Sequence, residues 1–501
     1  MEPWTRCTSR HQPLKPLHIS KFPLFSVLTR LLLAVLALFG PVASAFSADT
    51  AGSGPNTGGK PRLVVLTDIS NEPDDEESLV RLLVYSNEYD IEGLVATTST
   101  WLKNGPREDL IRRDLAAYAE VRPNLLKHAS GFPEAAQLDR VTKTGQPRYG
   151  MAAVGPDQST GGSRLVIAAL DKPDPRPVWV AIWGGANTLA QALSDLRAKR
   201  PMADVEAIVT KLRIYSISDQ DDAGPWIRKE FPNLFYIVSP SNPDSKEYWR
   251  ATWTGISGDR NYKNGPMHQF ALVDNPWLEE HVIKNHGPLG ALYPPLKYIM
   301  EGDTPSFLGL IANGLGWADS PANGGWGGRY VLYQASGETR KIWTNNADSR
   351  DTVTADNGQT ETSDPATIWR WREQYQNDFA TRMNWCVADA YGNANHNPQP
   401  VLNGDSTQAV LTLHVKGGSE VALSAEGTAD PDKDAVRVTW WIYSEAGSIK
   451  GATLTTTEGL VTKVRLPAVT KPGAVHVILQ AEDDGTPHLF AYRRAILEVT
   501  P

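Results

Sequence analysis

The chain is 501 residues long, with 41% hydrophobic and 21% charged residues, a globular composition that excludes a disordered or fibrous protein. Its 57 acidic and 49 basic residues give a formal charge of −8, so nucleic-acid backbones and anionic membrane surfaces are not expected partners. The two cysteines, Cys7 and Cys386, cannot build a cysteine-based zinc site, so any metal is held by oxygen or imidazole.

In chain order, residues 1–45 read as an export signal. Basic residues (Arg6, Arg10, Lys15, Lys21, Arg30) precede an apolar run over 31–39, then a Gly40-Pro41 break and Ala43-Ser44-Ala45, the small-x-small pattern of a cleavage site. The run is far short of the roughly 20 residues that span a bilayer, which favours cleavage over an uncleaved anchor. Removing five basic residues and one acidic residue (Glu2) leaves 44 basic against 56 acidic, a formal charge of −12. Cys7 departs with the leader, leaving Cys386 without a disulfide partner in its own chain. The expected location is secreted or periplasmic, with no membrane association after cleavage.

Residues 46–60 are small, polar and glycine-rich, a flexible linker. From Pro61 onward short apolar runs alternate with helical spacing: strands at 62–67, 91–97, 178–183, 211–218 and 234–239, and helices at 78–85, 112–120 and 188–197. Such alternation predicts βαβ units around a mostly parallel sheet flanked by helices, over 61–395. After Asn397-Pro398-Gln399-Pro400 the pattern turns to period two. Strands are expected at 409–415, 420–425, 436–443, 461–466, 474–481 and 491–499, a β-sandwich over 396–501. The pair Trp440-Trp441 should place one indole in that core and the other on the opposite face.

The sharpest local feature is Thr67-Asp68-Ile69-Ser70-Asn71-Glu72-Pro73-Asp74-Asp75, between the first strand and a helix. Ligands of open parallel sheets bind at the carboxyl ends of strands, where this loop falls. Clustered carboxylates repel one another unless a cation compensates, and a flexible all-oxygen set favours Ca²⁺. The competing reading is a solvated acidic helix N-terminus.

This loop resembles the N-terminal aspartate signature of nucleoside hydrolases, whose carboxylates hold Ca²⁺ and supply a general base. Trp183-Gly184-Gly185-Ala186-Asn187-Thr188-Leu189-Ala190 resembles that family's second signature, which implies a metal-binding backbone carbonyl at Asn187. Glu301-Gly302-Asp303-Thr304-Pro305 resembles its late His-Asp element, which implies Asp303 as a further ligand. The chain from 62 to 501 is similar to cellulose-binding proteins with a nucleoside-hydrolase-like domain and a C-terminal Ig-like β domain. The stretches that carry this are TDISNEPDDEESLVRLLVYSNEYDIEGLVATTS, WGGANTLAQAL, EGDTPSFLGLI with GGWGGRY, and DPDKDAVRVTWWIY.

Two departures matter. Four positions before the Asp74-Asp75 pair, where nucleoside hydrolases carry the base, stands Ser70; Asp68 lies six before. Either two residues are inserted, making Asp68 both base and ligand, or the base is lost. The insertion is favoured because loops expand cheaply. Glu301 replaces the late histidine, so the leaving group must be handled differently and a nucleobase is not the expected cargo.

The implied metal set is therefore Asp68, Asp74, Asp75, Asn187 and Asp303, with Asp68 as base. Asn71, Glu72, Trp101, Asp219, Gln220, Asp221 and Glu301 are candidates to bind a carbohydrate or glycoside substrate. Asp219 to Asp222 form an equally plausible solvated turn, Trp183 fits core packing, and Gly324 to Gly328 fit either a rim or a structural turn. Asp430, Asp432 and Asp434 read first as a hairpin turn, with a structural Ca²⁺ as the alternative. Four histidines, His128, His268, His281 and His286, lack metal-ligand spacing. Two function classes follow: a Ca²⁺-assisted hydrolase of glycosidic bonds, or a noncatalytic polysaccharide-binding protein, for which the 16 Trp residues speak. A homo-oligomer stays open.

Overall fold

The structure is a computed structural model that describes residues 59–70, 72–239, 248–257 and 268–501. The leader, most of the linker and Asn71 lie outside the described residues. No helix among the described residues is long and apolar enough to cross a membrane.

Eight strands form one sheet: β1 (Arg62–Thr67), β2 (Asp90–Ala96), β3 (Thr142–Thr144), β4 (Val178–Ile182), β5 (Leu212–Ser216), β6 (Phe235–Val238), β7 (Val331–Tyr333) and β8 (Ile342–Thr344). Their order is β3-β2-β1-β4-β5-β6-β8-β7, parallel throughout except at the β7–β8 edge. The expected parallel sheet is present. Every residue of β1 is buried: the apolar run Leu63 to Leu66 suits a strand covered on both faces, and Arg62 is buried in an ion pair with Glu92.

Alternation along the strands divides the core. Leu63, Val65, Trp179, Ala181 and Tyr215 face one layer with α1 (Pro73–Val84) and α2 (Glu108–His128), through Leu79, Leu83, Leu115 and Tyr118. Val64, Leu66, Val180, Ile182 and Ile214 face the other, under helices Gly161–Asp171, Asn187–Lys199, Met202–Lys211 and Ala223–Glu230. From β1 the chain winds to β2 on one side and to β4 on the other. The topological switch point therefore lies between β1 and β4, where open sheets bind ligands.

A hairpin of β9 (Asp351–Thr354) and β10 (Thr360–Ser363) precedes the C-terminal strands. These are β11 (Leu411–Lys416), β12 (Glu420–Ser424), β13 (Arg437–Ile442), β14 (Thr453–Leu454), β15 (Val461–Arg465), β16 (Gly473–Glu482) and β17 (Phe490–Thr500). They form a four-stranded sheet, β11-β17-β16-β13, and a three-stranded sheet, β12-β15-β14. Trp440 is buried in the core these sheets share, its Nε1 donating to the Gly459 carbonyl at 2.8 Å. Trp441 points the other way and packs on Trp371 of the α/β part, with centroids 5.6 Å apart.

The two parts meet through polar groups as well. Arg494, fully buried, donates to the carbonyls of Leu315 (2.6 Å) and Gly324 (3.0 Å) and lies over the Tyr443 ring. Gly324 has a φ of +73°, and a Cβ there would stand 2.4 Å from the Tyr443 hydroxyl. The Gly324–Gly328 segment is thus packing material at this contact rather than a rim. His476 sits beside Arg494 at 2.9 Å; burial, then the Arg494 and Arg329 charges, push its imidazole down to about 3.

In the unfolded chain the same histidine titrates near 6.5. Between those values the unfolded state binds more protons, so folding stability falls as pH drops below about 6.5. From pH 7.5 to 5.0 this one group is expected to cost about 2 kcal/mol. Urea midpoints at the two pH values should fall further in the wild type than in His476→Gln; equal falls would exclude this origin.

Candidate metal and active site

Asp68 follows β1 directly, and α1 begins with Pro73, whose missing N–H costs nothing at a helix start. The helix then carries Asp74 and Asp75 in its first turn, where carboxylates suit the positive end of the dipole. Between them Ser70 holds a φ of +108°, a strained conformation for a residue with a Cβ. Asp303 arrives from the loop before helix Pro305–Leu308, a loop in which Tyr298 and Glu301 also have positive φ.

These segments converge at the switch point. Carboxylate oxygens of Asp74, Asp75 and Asp303 lie within 4.8 Å of one another, all three residues buried. Asp68 is 4% exposed and accepts a hydrogen bond from the Ser99 hydroxyl, while the Thr67 hydroxyl donates to Asp75. A Cβ at Gly184 would stand 2.4 Å from Asp68 Oδ1, so the glycine after β4 is what lets this carboxylate sit where it does. Together they line a cavity of about 150 Å³ with Glu72, Trp101, Trp183, Ile217, Gln220, Trp253, Tyr298, Ile299 and Gly302.

The electrostatics are one-sided. Burial pushes Asp68 up to about 6, against the pull of the Ser99 hydrogen bond. Asp74, Asp75 and Asp303 are pushed well above the carboxylate range, by burial first and then by neighbouring charges: Glu72 and Asp68 on Asp74, Asp68 and Asp74 on Asp75, and Asp75, Asp74 and Asp68 on Asp303. Among the described residues none of these four is in an ion pair. The Asp303 Oδ2 atom is buried without a hydrogen-bond partner among the described residues. An orphaned carboxylate oxygen among like charges is costly by itself and fits a hard cation that takes oxygen donors.

Residues 62–330 match the cellulose-binding Sde182 nucleoside hydrolase-like domain, and 420–499 match the Sde0182 C-terminal domain. The chain belongs to the cellulose-binding Sde182 family. A nucleoside hydrolase-related protein from Saccharophagus degradans, described as associated with carbohydrate metabolism, is 38% identical. It aligns over 88% of this chain and 100% of its own, with a TM-score of 0.76. The M1 domain of titin aligns over 20% of this chain and 92% of its own, at 15% identity and a TM-score of 0.13. The effector protein XOO4466 aligns over 66% of this chain and 94% of its own, at 11% identity and a TM-score of 0.29. No curated protein matches the chain.

In this Sde182-family chain, Asp68, Glu72, Asp74, Asp75, Trp101, Gln220 and Asp303 come together around one cavity. Four other expected site residues do not line it. Glu301 is fully buried in an ion pair with Arg81 and also accepts from Tyr293 Oη (2.7 Å) and Thr304 Oγ1 (2.8 Å), so it braces the Asp303 loop instead of meeting substrate. Asp219 is held in a two-pronged pair by Arg228, both contacts at 2.8 Å. Asp221, pushed up to about 7 by burial, accepts the N–H groups of Asn187 and Ala223 at 3.0 Å and so ties two helix starts together. Asn187 opens its helix fully buried, its Nδ2 donating to the Arg148 carbonyl (2.8 Å) and Thr98 Oγ1 (3.1 Å).

Trp183 is cavity floor, fully buried, with Nε1 donating to Ser306 Oγ at 2.9 Å. Ser99, Trp253, Tyr298 and Ile299 were absent from the sequence-derived set. Only Ser99 carried a usable signal, three residues beyond the end of β2 on the carboxyl-end side of the sheet.

Proposed function

We propose that this chain is an exported hydrolase of glycosidic bonds, acting on a carbohydrate with the aid of a divalent cation, Ca²⁺. One observation carries the reading: four buried carboxylates, without a cationic partner among the described residues, wall a cavity that also presents aromatic and amide groups. The oxygen-only donors and the orphaned Asp303 Oδ2 fit such an ion, with Asp74, Asp75, Asp303 and Asp68 as its holders. When bound, the cation supplies positive charge that acidifies water and orients sugar hydroxyls.

The chain's own groups do the rest. Asp68, and not Ser70, lines the cavity, which supports the two-residue insertion. Held by Ser99, the Asp68 carboxylate accepts one proton of the water whose oxygen bonds to the anomeric carbon as the glycosidic bond breaks, the departing oxygen taking a proton from solvent; the elevated pKa of Asp68 suits a base working near neutrality. Gln220 donates through Nε2 to the Trp183 carbonyl at 2.6 Å, leaving its buried Oε1 to accept from a sugar hydroxyl. Trp101 and Tyr298, 47% and 51% exposed, provide rim faces for a sugar ring.

Metal-stripped and Ca²⁺-reloaded protein, assayed for reducing ends released from oligosaccharides, tests the reading. Activity is expected only on reloading, and equal activity with chelator present would refute the metal's role. Trp101→Ala should raise KM about tenfold with kcat nearly unchanged, because ring stacking binds ground and transition states alike. A fall in kcat alone would contradict that role.

A second reading, noncatalytic binding of a polysaccharide, is favoured by the family's cellulose-binding description and the exposed rim aromatics. It predicts that Trp101→Ala weakens glycan binding and that Asp68→Asn changes nothing. Export rests on the leader at 1–45. The secreted or periplasmic protein should begin at Phe46, which N-terminal sequencing would read; an intact leader would contradict cleavage.

A further inference from the structure

The segment that follows β2 is fastened on both sides at the carboxyl end of the sheet. Thr97 N donates to the Thr67 carbonyl at the end of β1 (2.7 Å), and the Thr98 carbonyl accepts from Gly185 N beyond β4 (2.8 Å). Ser99 is therefore delivered on braced backbone, fully buried, against Asp68. From there the chain closes a tight loop, Ser99 N donating to the Leu102 carbonyl at 2.9 Å. Trp101 stands in that loop, 47% exposed at the cavity rim.

The Ser99 hydroxyl has one proton and two lone pairs, and all three are committed. Its oxygen accepts the N–H groups of Trp101 (2.9 Å) and Leu102 (3.0 Å), which leaves the proton for Asp68 Oδ2. Two incoming N–H groups polarise the hydroxyl and strengthen it as a donor, and a carboxylate is the acceptor that gains most from this. Among the described residues, Ser99 is the side chain that holds Asp68 by a hydrogen bond. A single oxygen thus shapes the loop that presents the Trp101 face and aims the Asp68 carboxylate.

We infer that Ser99 is a positioning residue that ties the sugar-facing Trp101 loop to Asp68, holding the bound ring and the base in one fixed relation. Ser99 itself lies outside the cavity lining and acts through these two residues. Its action on Asp68 rests on the hydrolase reading, whereas its action on Trp101 needs only that the rim binds a glycan.

Ser99→Ala, alone and combined with Trp101→Ala, tests the tie in Ca²⁺-loaded full-length protein; the family's cellulose-binding description makes cello-oligosaccharides the probe. Per folded molecule, Ser99→Ala should lower kcat and raise KM, each about tenfold, as the bonds to Asp68 and to the loop are lost together. Ser99→Thr, which keeps the oxygen and its proton, should regain most of both. In glycan titrations Ser99→Ala should weaken binding about tenfold in the wild-type background and add nothing to Trp101→Ala, because both act through the same ring. Hydrogen exchange at the Trp101 and Leu102 amides should quicken about tenfold in Ser99→Ala while β1 keeps its protection. Should wild type bind glycan without cleaving it, the hydrolase reading fails by itself, and non-additive binding losses with faster exchange still support the tie. Wild-type kcat and KM in Ser99→Ala, unchanged exchange at the two amides, or full additivity with Trp101→Ala would overturn it, as would a wild type that binds no glycan.

Discussion

Asp303→Asn is expected to stabilise the metal-free protein while abolishing cavity metal binding and turnover. Its carboxylate is 3% exposed, faces Asp74 and Asp75, and has one oxygen without a partner. An uncompensated buried charge costs several kcal/mol, and an amide removes that charge while adding N–H donors for the neighbouring carboxylates. The pH dependence carries a definite sign. A carboxyl whose folded pKa is raised contributes stability that is fully present below its unfolded value and is lost as pH rises through the folded value. For Asp68 that window runs from 3.8 to about 6, about 3 kcal/mol at neutral pH. Metal-free protein carrying His476→Gln, which removes the opposing effect of that histidine, should therefore melt at a higher temperature at pH 5 than at pH 7.5, and saturating Ca²⁺ should raise the neutral-pH value. In Asp303→Asn the pH effect should shrink and the Ca²⁺ effect at this site vanish. A less stable metal-free variant would show that the cluster is balanced by something other than a cation.

Glu301→Ala should be among the most damaging single changes in the α/β part, about 3–5 kcal/mol in denaturant unfolding. Arg81 and Glu301 are both fully buried, and Arg81 also donates to the Tyr375 carbonyl (3.1 Å) and Gln376 Oε1 while lying over the Phe379 ring. Removing Glu301 strands the guanidinium in the core beneath α1. The double change Arg81→Met with Glu301→Leu should recover much of the loss, since a buried pair is replaced by apolar contact. Because Glu301 holds a φ of +48° two residues before Asp303, Glu301→Gln should keep the fold yet loosen cavity metal binding. An unaltered metal affinity in Glu301→Gln would sever that link.

Much of this architecture was readable wherever local pattern and tertiary demand agree. The run Arg62 to Thr67 announces a strand covered on both faces, and period-two alternation located the C-terminal strands apart from the two-residue β14. Asp68, Asp74 and Asp75 were visible because they occupy one loop at a strand end. Asp303 was visible only through resemblance, since nothing local sets it apart from other loop acids. Trp253 and Tyr298 reach the cavity, and Ser99 reaches Asp68, from segments distant in the chain. The errors have one cause. Whether a loop acid meets solvent, ligand or a buried arginine depends on residues far away in sequence: Arg228 for Asp219, Arg81 for Glu301, and two helix N-termini for Asp221. Composition alone does not sort the tryptophans: Trp183, Trp253, Trp369 and Trp440 are buried, as expected of Trp183 and of one member of the Trp440-Trp441 pair, while Trp101 stands exposed at the rim.

The central claim is that Asp68 acts on water beside a cation held by Asp74, Asp75 and Asp303. Its most direct test compares Asp68→Asn with wild type, both Ca²⁺-loaded, for oligosaccharide binding and for release of reducing ends. Loss of turnover by about a thousandfold or more with glycan binding retained is the predicted result. Wild type that binds glycan without cleaving it, and Asp68→Asn that binds it equally, would contradict the account and leave a carbohydrate-binding protein in its place.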